Sequence, residues 1–429
     1  MTISLVGVSM LVLLVSLFLK VPVFLCLLAG AMSYFVQSTN ANQLVMIQRF
    51  ASGLESVPLL AVPFFVCAGI FMNSSGVTAR IMEFCGVVTA RLWGGLAQVN
   101  ILLSTLMGGL SGSSLADAAM QSKMLVPEME RRGMSKPFSS VVTAFSSTIT
   151  PLIPPGIAMI LYGSIANVSI GKLFMSGIAV GLLLCVALMI LTAFIAKKRG
   201  YKPTRETMPG LGDIWRAFTP AVLPFLLPVI IIGGIRIGVF TPTEAGAVAV
   251  CYSFLLGLIY RELTVKNVME SIKETVLVTA SIMLIVGAAS SLAWVLTREQ
   301  VPQNLTMWMV STIENKWIFL VLLNLFLLVV GMFSEGNAAT VVLVPLLAPI
   351  GRAFGFDDIH FAFVFIFNMA LGSITPPMGT IMFVTCGITK CKIKDFLIEA
   401  VPYFLVMALC LALITFVPWI TTGLITLFY

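Results

Sequence analysis

Long apolar runs occupy nearly the whole chain, separated by short charged clusters or by Pro and Gly. A membrane-spanning helix needs about 20 mostly apolar residues, so such runs predict transmembrane helices. Eight runs fit this pattern to within several residues at each end: Ser4 to Leu19, Val23 to Val36, Val57 to Met72, Leu173 to Ala196, Pro220 to Ile235, Ala245 to Tyr260, Val276 to Leu296 and Ala400 to Leu427.

Four further apolar regions are interrupted near their middle by Gly, Ser, Thr, Asn or Pro: Gly94 to Met129, Phe138 to Ile165, Trp317 to Ile350 and Phe361 to Thr389. We interpret the first and third as re-entrant hairpins and the other two as broken helices that cross once. The predicted fold class is an all-α polytopic membrane protein with about ten crossings and two hairpins. Two charged segments, Thr78 to Arg91 and Leu263 to Glu274, fit interfacial amphipathic helices or, equally well, polar loops.

The composition supports a membrane protein and excludes several chemistries. Hydrophobic residues make up 59% of the chain and charged residues only 10%, against about 25% charged in soluble domains. The one histidine, His360, rules out haem ligation, a His-rich metal site and a His-based triad. Beside Asp357 and Asp358, it is predicted to be an exposed loop residue, or otherwise a pH sensor. The eight cysteines lie mostly in apolar segments, which predicts small core residues without a disulfide framework.

Basic residues indicate the orientation in the membrane. If both hairpins enter and leave on one side, 18 of the 25 Lys and Arg residues, Lys20 included, fall on one side and six on the other, with Lys123 inside a hairpin. The positive-inside rule makes the rich side cytoplasmic, most clearly at Lys197 to Arg205, and this accounts for the net charge of +7 without nucleic-acid binding. Both termini are then predicted outside, with the N-terminal run as a retained first span.

The chain contains an internal repeat. Met107 to Gly133 aligns with Val330 to Gly355, and Ile149 to Met159 aligns with Ile374 to Met382. Ser, Pro and Gly residues of the two aligned stretches recur at an offset of 222 or 223: Ser111 with Ser334, Pro127 with Pro349, Gly133 with Gly355, and Pro154 with Pro376. Five predicted crossings separate the hairpins, an odd number, so the repeat is inverted. Inverted-repeat transporters bind substrate and coupling ions near the bilayer midplane, where such broken elements meet.

The interruptions carry the candidate chemistry. The hairpin runs LSGSSLAD and FSEGNAAT combine small residues, hydroxyls and amides. Each gives the following half-helix a free N-terminus that attracts a carboxylate. The broken helices contain Thr150 to Gly156 and Ser373 to Pro377, where proline leaves carbonyl oxygens free for a hard cation such as Na⁺. The alternative for each break is a helix kink with close-packed small residues.

Three acidic residues need separate interpretations. Asp117 and Glu335 lie in the hairpins, where intramembrane carboxylates are functional candidates, although Asp117 equally fits stabilisation of a half-helix N-terminus. Glu244 lies three residues after Thr241 in a predicted capping box and is therefore structural. An intramembrane enzyme is disfavoured because no nucleophile-base pair accompanies the acids. A channel is disfavoured because hairpins from both faces suggest alternating access.

The combined motifs resemble a known family. The runs GGLSGSSLADAAM, SEGNAATVVLVPLLAPI, PLIPPGIAMILYG, GSITPPMGT, PTEAGA and VPLLAVPFFVCAGIFMNSSGV are similar to the large membrane subunit of tripartite ATP-independent periplasmic (TRAP) transporters. The resemblance extends from about Met1 to Tyr429. It implies a bacterial inner-membrane secondary transporter of elevator type, driven by inward Na⁺ and working with a periplasmic substrate-binding protein and a small four-helix membrane subunit. This sequence has Gly156 where many members have a PPS-type segment, so one hydroxyl is missing.

Carried onto this chain, the resemblance implies two overlapping sets of site residues. The substrate set is Ser111, Gly112, Ser113, Ser114, Asp117, Pro154, Pro155, Glu335, Asn337 and Thr340. The Na⁺ set is Ser111, Ser113, Thr148, Thr150, Ser334, Gly336, Asn337, Ser373 and Thr375.

The domain organisation follows the repeat. Residues 1–93 are predicted to be scaffold helices with an interfacial arm, and 94–196 the first transport-domain repeat. Residues 197–316 are predicted to be a cytoplasmic loop, scaffold helices and arms, and 317–429 the second repeat with the final helix. The small subunit is expected as a separate chain, and no cofactor is expected besides Na⁺. The expected substrate is a small organic acid, and a stand-alone dicarboxylate or anion transporter is the alternative function.

Overall fold

The structure is a computed structural model that describes residues 5–19, 21–38, 41–205 and 209–428. Ser4, Lys20 and Tyr429, which enter the predictions above, lie outside these residues, as do the side chains of Phe18, Leu110 and Ser111. Across the described residues the protein is all-helical, as the sequence predicts, and contains no β-strand.

The helices follow one another along the whole chain. The first ten are α1 (Leu5–Phe18), α2 (Val23–Gln37), α3 (Gln43–Leu54), α4 (Ala61–Ser74), α5 (Val77–Val88), α6 (Leu96–Ser111), α7 (Ser114–Met124), α8 (Val126–Arg131), α9 (Lys136–Ser147) and α10 (Ile157–Ala166). The others are α11 (Ile170–Arg199), α12 (Leu211–Arg236), α13 (Pro242–Ile259), α14 (Val265–Arg298), α15 (Val301–Thr312), α16 (Lys316–Phe333), α17 (Gly336–Ala353), α18 (Asp358–Gly372), α19 (Thr380–Thr389), α20 (Ile393–Phe416) and α21 (Trp419–Phe428). Short 3-10 turns cover Val57–Leu60 and Thr150–Leu152. In the described part of the chain, nine helical segments are long and apolar enough to cross a membrane.

Six of the eight predicted spans correspond to single α-helices, and a seventh, Val57 to Met72, to a 3-10 turn that continues into α4. The last span does not correspond to one helix. The predicted span Ala400 to Leu427 is divided into α20 and α21 at Pro418. Proline disfavours the helical conformation in the residue before it, and Val417 accordingly has φ −121° and ψ 80°. The prediction of one final span was wrong, and α21 packs against α11 and α18 instead of extending α20.

Other departures concern amphipathic segments. The segment Thr78 to Arg91 contains the expected helix, α5. The segment Leu263 to Glu274 does not form a separate interfacial helix, because α14 continues without a break for 34 residues from Val265. The sequence did not predict α3 and α15. Neither is a long apolar run, and α3 has no buried residue.

His360 is buried, contrary to the prediction that it is an exposed loop residue. It lies inside α18 and only 1% of its surface is exposed. Asp357 is the N-cap of α18, and its carboxylate accepts hydrogen bonds from the backbone N–H groups of Ile359 and His360 at 2.9 and 3.0 Å. The adjacent aspartates therefore mark a helix start, not a loop, and the chain turns inward at once. The Nδ1 atom of His360 lies 3.3 Å from Thr421 Oγ1 on α21.

The predicted capping box at the start of α13 is confirmed. The Glu244 N–H donates to Thr241 Oγ1 at 3.3 Å, and the Glu244 carboxylate accepts from the Thr241 N–H at 2.8 Å. Glu244 therefore has a structural role at the helix N-terminus.

The helices pack in two groups. One contains α2, α3, α4 and α14, with α13 on α4 and α12 on α5. The other contains both hairpins, α6–α7 and α16–α17, both broken helices, α9–α10 and α18–α19, and the supporting helices α11, α20 and α21. The groups meet where α4 and α5 pack on α6 and where α14 packs on α17. This arrangement brings the hairpin tips towards α14.

Candidate functional site

The first hairpin reverses direction at Gly112 and Ser113. Gly112 has φ +61°, a left-handed conformation that glycine adopts without strain, and its N–H donates to Gly108 O at 3.1 Å. Ser113 is the N-cap of α7, and its Oγ accepts a hydrogen bond from the Ala116 N–H at 3.4 Å. This tip therefore presents hydroxyl groups and a helix N-terminus whose first three residues are uncharged, with Asp117 as the fourth.

The second hairpin reverses direction at Ser334 and Glu335. Glu335 is the N-cap of α17, and its carboxylate accepts from the Ala338 N–H at 3.0 Å and from Asn337 Nδ2 at 2.9 Å. A carboxylate at a helix N-terminus is stabilised by the dipole. The second tip thus differs from the first in having a carboxyl side chain, not a hydroxyl, as its N-cap.

Both predicted broken helices are interrupted as expected. The first stops at Ser147 and restarts at Ile157, and the second stops at Gly372 and restarts at Thr380. The Pro154–Pro155 and Pro376–Pro377 peptide bonds are cis. In the first break, a Cβ at Gly156 would lie 2.7 Å from Pro151 O. A serine at this position, as in the PPS-type segment of many family members, would therefore have little room.

Each hairpin rests on the break of its own repeat, backbone against backbone. A Cβ at Gly109 would lie 2.5 Å from Pro154 O, and one at Gly108 would lie 3.1 Å from Thr150 Cα. In the second repeat, a Cβ at Gly331 would lie 2.9 Å from Gly372 Cα. Glycine is needed at these positions because no side chain fits between the helices.

A cavity of about 690 Å³ lies where the two hairpin tips meet. Its polar wall comes from residues 112–115 of the first tip, residues 335–340 of the second, and Ser373 and Thr380 of the second break. Its opposite wall comes from the start of α2 and from residues 277–285 of α14. Cavities that hold small organic ligands span roughly 300–1,000 Å³, so this one is large enough for a small organic acid.

A family model described as "Tripartite ATP-independent periplasmic transporter, DctM component" matches residues 10–420. The chain belongs to this family. It is 38% identical over 415 residues to the sialic acid TRAP transporter large permease protein SiaM of Vibrio cholerae serotype O1, and the alignment covers 96% of each chain. It is 34% identical over 398 residues to the C4-dicarboxylate TRAP transporter large permease protein DctM of Pseudomonas aeruginosa, covering 92% of each. In fold it is similar to the YdaH transporter of Alcanivorax borkumensis, with a TM-score of 0.65, 14% identity, and 97% and 98% of the two chains covered.

The family membership expected from the motifs is thereby confirmed. This chain is a TRAP transporter large permease and a multi-pass membrane protein of a bacterial transporter family. Its relatives are permease components of transporters, not enzymes.

Half of the site residues predicted for this TRAP permease line the cavity: Gly112, Ser113, Ser114, Glu335, Gly336, Asn337, Thr340 and Ser373. Others lie behind this lining, in the breaks or the hairpins: Asp117, Thr148, Thr150, Pro154, Pro155, Ser334 and Thr375. Ser111 is the last residue of α6, and its side chain lies outside the description. The structure therefore brings both tips together with both breaks, but the first break contributes Pro151, Ile157 and Ala158 to the lining and not its threonine hydroxyls.

Asp117 lies behind the first tip and joins the parts of the first repeat. It is 1% exposed, and its carboxylate accepts hydrogen bonds from Ser104 at 2.8 Å, Gln121 at 2.7 Å and Thr150 at 3.2 Å. Ser104 Oγ also lies 3.1 Å from Ser146 Oγ of α9. Asp117 thus connects both arms of the hairpin with the broken helix and holds Thr150 in place.

The sequence did not identify the wall opposite the hairpin tips. This wall contains Val23 and Phe24 of α2 and Leu277, Ile282 and Ile285 of α14, with the hydroxyl of Ser281 among them. The Ser281 side chain donates to Leu277 O at 2.9 Å, an ordinary bond within a helix. An isolated serine in an apolar helix gives no signal that could have identified this wall.

The two repeats of the TRAP permease also hold each other. The inner hairpin helix α7 packs against α19 of the second repeat, and α17 packs against α10 of the first. Ser140 of α9 donates to Thr389 at the end of α19 at 3.0 Å, and Arg352 after the second hairpin donates to Ala166 O at the end of α10 at 2.6 Å. Each hairpin is therefore supported by the broken helices of both repeats.

Proposed function

We propose that this TRAP large permease carries out secondary active uptake of an organic acid, a carboxylate, coupled to inward movement of Na⁺. It works with a periplasmic substrate-binding protein and a small four-helix membrane subunit. It lies in the bacterial inner membrane with both termini in the periplasm. The observation that carries the proposal is the cavity between the two hairpin tips, with the charge distribution of its lining.

The first tip is suited to a carboxylate. Ser113 and Ser114 line the cavity at the N-terminus of α7, where N–H groups and the helix dipole favour negative charge. Thr380 adds a hydroxyl at the start of α19. No described residue that lines the cavity is basic, so helix N-termini and hydroxyls hold the substrate in place of Arg or Lys.

The second tip favours coupling to a cation. Glu335 is the one charged side chain among the described lining residues. A carboxylate that entered alone would be repelled by this negative charge in a site with little water, where charges are weakly screened. A cation entering with the substrate removes this repulsion. Glu335, Asn337, Thr340 and Ser373 supply the oxygen ligands that a hard cation prefers.

The remaining predicted Na⁺ ligands belong to the same proposal. Carbonyl oxygens of the breaks and the side chains of Ser111, Thr148, Thr150, Ser334 and Thr375 would complete the cation sites. Of these, Thr150 is oriented by Asp117, to which its hydroxyl donates. The proton of Thr150 then points away from the site, and a lone pair of its oxygen is free for Na⁺.

The apolar wall supports an elevator mechanism. The side of the cavity formed by α2 and α14 is almost entirely Val, Leu, Ile and Phe, whereas the polar groups come from the hairpins and breaks. A substrate bound only by the hairpins and broken helices is able to move together with these helices along a wall that offers few hydrogen bonds. In this proposal residues 94–196 and 317–429 move as the transport domain against the scaffold.

The substrate class follows from the same cavity. Two relatives are named as transporters of sialic acid and of a C4-dicarboxylate, both organic acids. Either kind of carboxylate fits a cavity of about 690 Å³. We therefore place the substrate of this chain in that class.

Uptake by the reconstituted system tests the proposal. The permease, its small subunit and its binding protein in proteoliposomes are expected to accumulate radiolabelled substrate only when external Na⁺ exceeds internal Na⁺. Uptake driven equally well by ATP or a proton gradient without Na⁺ would contradict Na⁺ coupling. Uptake by the large permease alone, with no binding protein, would favour the stand-alone alternative.

Matched acid-to-amide variants test the role of Glu335 in the same assay. Glu335→Gln keeps an oxygen to cap α17 but removes the charge, so we expect the Na⁺ concentration for half-maximal uptake to rise about tenfold or more, roughly the effect of 1.4 kcal/mol. Glu244→Gln is the control, because Glu244 caps α13 outside the cavity. Equal effects of both variants would show that Glu335 acts only as a helix cap.

A further inference from the structure

A second cavity, of about 520 Å³, lies at the base of the first hairpin, away from the hairpin tips. It is enclosed by the start of α6, by the turn between α8 and α9, and by the segment 199–204 that follows α11. Among the described residues that line it, Arg132, Arg199 and Lys202 are basic and none is acidic. Such a lining attracts an anionic group.

The walls of this basal cavity are held together by hydrogen bonds. Tyr201 accepts at its backbone carbonyl from the Gly94 N–H and at its hydroxyl from the Ser135 N–H, both at 3.1 Å. The Arg205 N–H donates to Ala90 O at 3.0 Å. A ligand would therefore enter a site whose shape already exists, and little conformational entropy would be lost on binding.

The ion pairs around the basal cavity leave it positively charged. Arg199 pairs with Glu399 at 2.8 Å, and Arg132 pairs with Glu128 at 3.2 Å. Lys202 forms no ion pair with any described residue. Among the described residues one full positive charge is thus uncompensated, and the guanidinium groups retain further N–H donors for an oxyanion.

The surroundings fit the headgroup level of a membrane. Trp93, 37% exposed, precedes the α6 start, and tryptophan is enriched at membrane–water interfaces. The last residue of α11, Arg199, lines the basal cavity, and the same helix has an apolar strip of exposed side chains at every fourth residue: Leu182, Val186, Ile190 and Phe194. Under the proposed topology, on which this inference rests, the basal cavity faces the cytoplasmic leaflet, where anionic lipids meet basic residues.

We propose that the basal cavity binds a phosphate group, as presented by the headgroup of an anionic phospholipid. Arg132, Arg199 and Lys202 contact the phosphate oxygens, and the acyl chains lie along the strip on α11. Free phosphate presents the same chemistry without the acyl chains, so the strip favours the lipid as the source.

Lipid binding to the purified complex of large permease and small subunit tests this proposal without transport. Native mass spectrometry in detergent is expected to show phosphatidylglycerol bound more tightly than phosphatidylethanolamine. Lys202→Gln is expected to weaken the binding of phosphatidylglycerol about fivefold, since one basic residue near the membrane surface contributes roughly 1 kcal/mol to binding. Arg132→Gln is expected to act in the same direction. Lys273→Gln, which removes an exposed lysine of α14 outside the basal cavity, is the control and is expected to change nothing.

Competition with inorganic phosphate distinguishes a bound lipid from free phosphate, and the variants show whether the basic residues of the basal cavity bind it. Competition by millimolar inorganic phosphate that fully displaces the lipid would identify the phosphate group alone as the ligand, whereas no displacement supports the lipid with its acyl chains. Equal phosphatidylglycerol binding by the unmodified protein, Lys202→Gln and Arg132→Gln would overturn the proposal, as would an equal loss in Lys273→Gln. The measurement contains no Na⁺ gradient and no organic acid, so failure of the proposed uptake would leave its result unaffected.

Discussion

The two repeats share one layout but are held together by different forces. In the first, a buried carboxylate, Asp117, accepts three side-chain hydrogen bonds from groups on α6, on α7 and in the break. In the second, a single amide contact, Asn368 Nδ2 to Asn324 Oδ1 at 2.7 Å, bridges α18 and α16. Both repeats have close backbone contacts, but only in the second does glycine lie on both sides of the contact, at Gly331 and Gly372.

The positions of the contacts make this difference informative. Gly331 and Gly372 make in the second repeat the close contact that Gly108 and Thr150 make in the first, so the first repeat has threonine at this contact where the second has glycine. Thr150 uses its hydroxyl to reach Asp117, whereas Gly372 has no side chain and permits backbone contact. Close backbone packing is therefore common to both halves, and the first half adds a hydrogen bond to Asp117 at a place where the second has only glycine.

Introducing the threonine of the first repeat at the glycine contact of the second should cause the largest loss of stability. Gly372→Thr places in the second repeat the residue that the first repeat has at Thr150. A Cβ at Gly372 would lie 2.5 Å from Gly331 Cα, so the backbones must separate, and we expect a loss of about 3 kcal/mol or more. Heating followed by fluorescence-detected size-exclusion chromatography should show a large fall in the folded fraction.

The control for this substitution lies in the same repeat. Gly387 of α19 has open space where a Cβ would be added, so Gly387→Thr should alter stability by less than about 0.5 kcal/mol. Similar losses in both variants would mean that threonine is merely unfavourable in these helices, and that the close approach at Gly372 has no special importance.

Removing the central polar group of each repeat should have intermediate effects. Asp117→Asn turns an acceptor of three bonds into a group with its own N–H donors, so at least one buried donor loses its partner, at a cost of about 1–3 kcal/mol. Asn368→Leu removes one side-chain bridge and should cost about 1 kcal/mol. Thermal unfolding of both variants in parallel measures the difference. A larger loss for Asn368→Leu would contradict the assignment of Asp117 as the centre of the first repeat.

The smallest effects are expected where each hairpin leads into its broken helix. Glu130 and Lys136 pair at 3.7 Å in the first repeat, and Arg352 and Asp358 pair at 2.7 Å in the second, with the charges in reversed order. Exposed pairs contribute under about 1 kcal/mol. Arg352→Gln should still reduce the melting temperature more than Lys136→Gln, because Arg352 also binds Ala166 O.

A charge exchange in the first repeat is the control for these two variants. Combining Glu130→Lys with Lys136→Glu keeps the pair but reverses its order to that of the second repeat. The double variant should melt within about one degree of the unmodified protein, since the ion pair is retained. If it melts as low as Lys136→Gln, the order of the charges matters and not only their pairing.

Much of the architecture could be predicted because its signals are local. Proline and glycine in apolar regions predicted both hairpins and both breaks, and the spacing of Thr241 and Glu244 predicted their capping box. The internal repeat could be detected because Ser, Pro and Gly residues recur at a nearly constant offset along the chain. The family resemblance added to these signals and was confirmed.

The errors arose where tertiary contacts decide the outcome. The aspartates beside His360 suggested a loop, but the inward turn of α18 after its cap depends on α21, which provides Thr421. The apolar run after Ala400 continues across Pro418, so hydropathy alone could not show that α21 turns away to pack on α11 and α18. The helices α3 and α15 and the apolar wall of the cavity gave no strong local pattern, because helix packing alone positions them.

The mutual support of the repeats has a consequence for energy conversion. With α7 held by α19 and α17 held by α10, neither hairpin can be displaced far without carrying the other along. An ion bound at one tip and an acid bound at the other would then cross the membrane in the same stroke. Under the proposed function, independent movement of one tip would require these contacts to separate, so the interlocking of the two halves favours carrying both ligands in one movement.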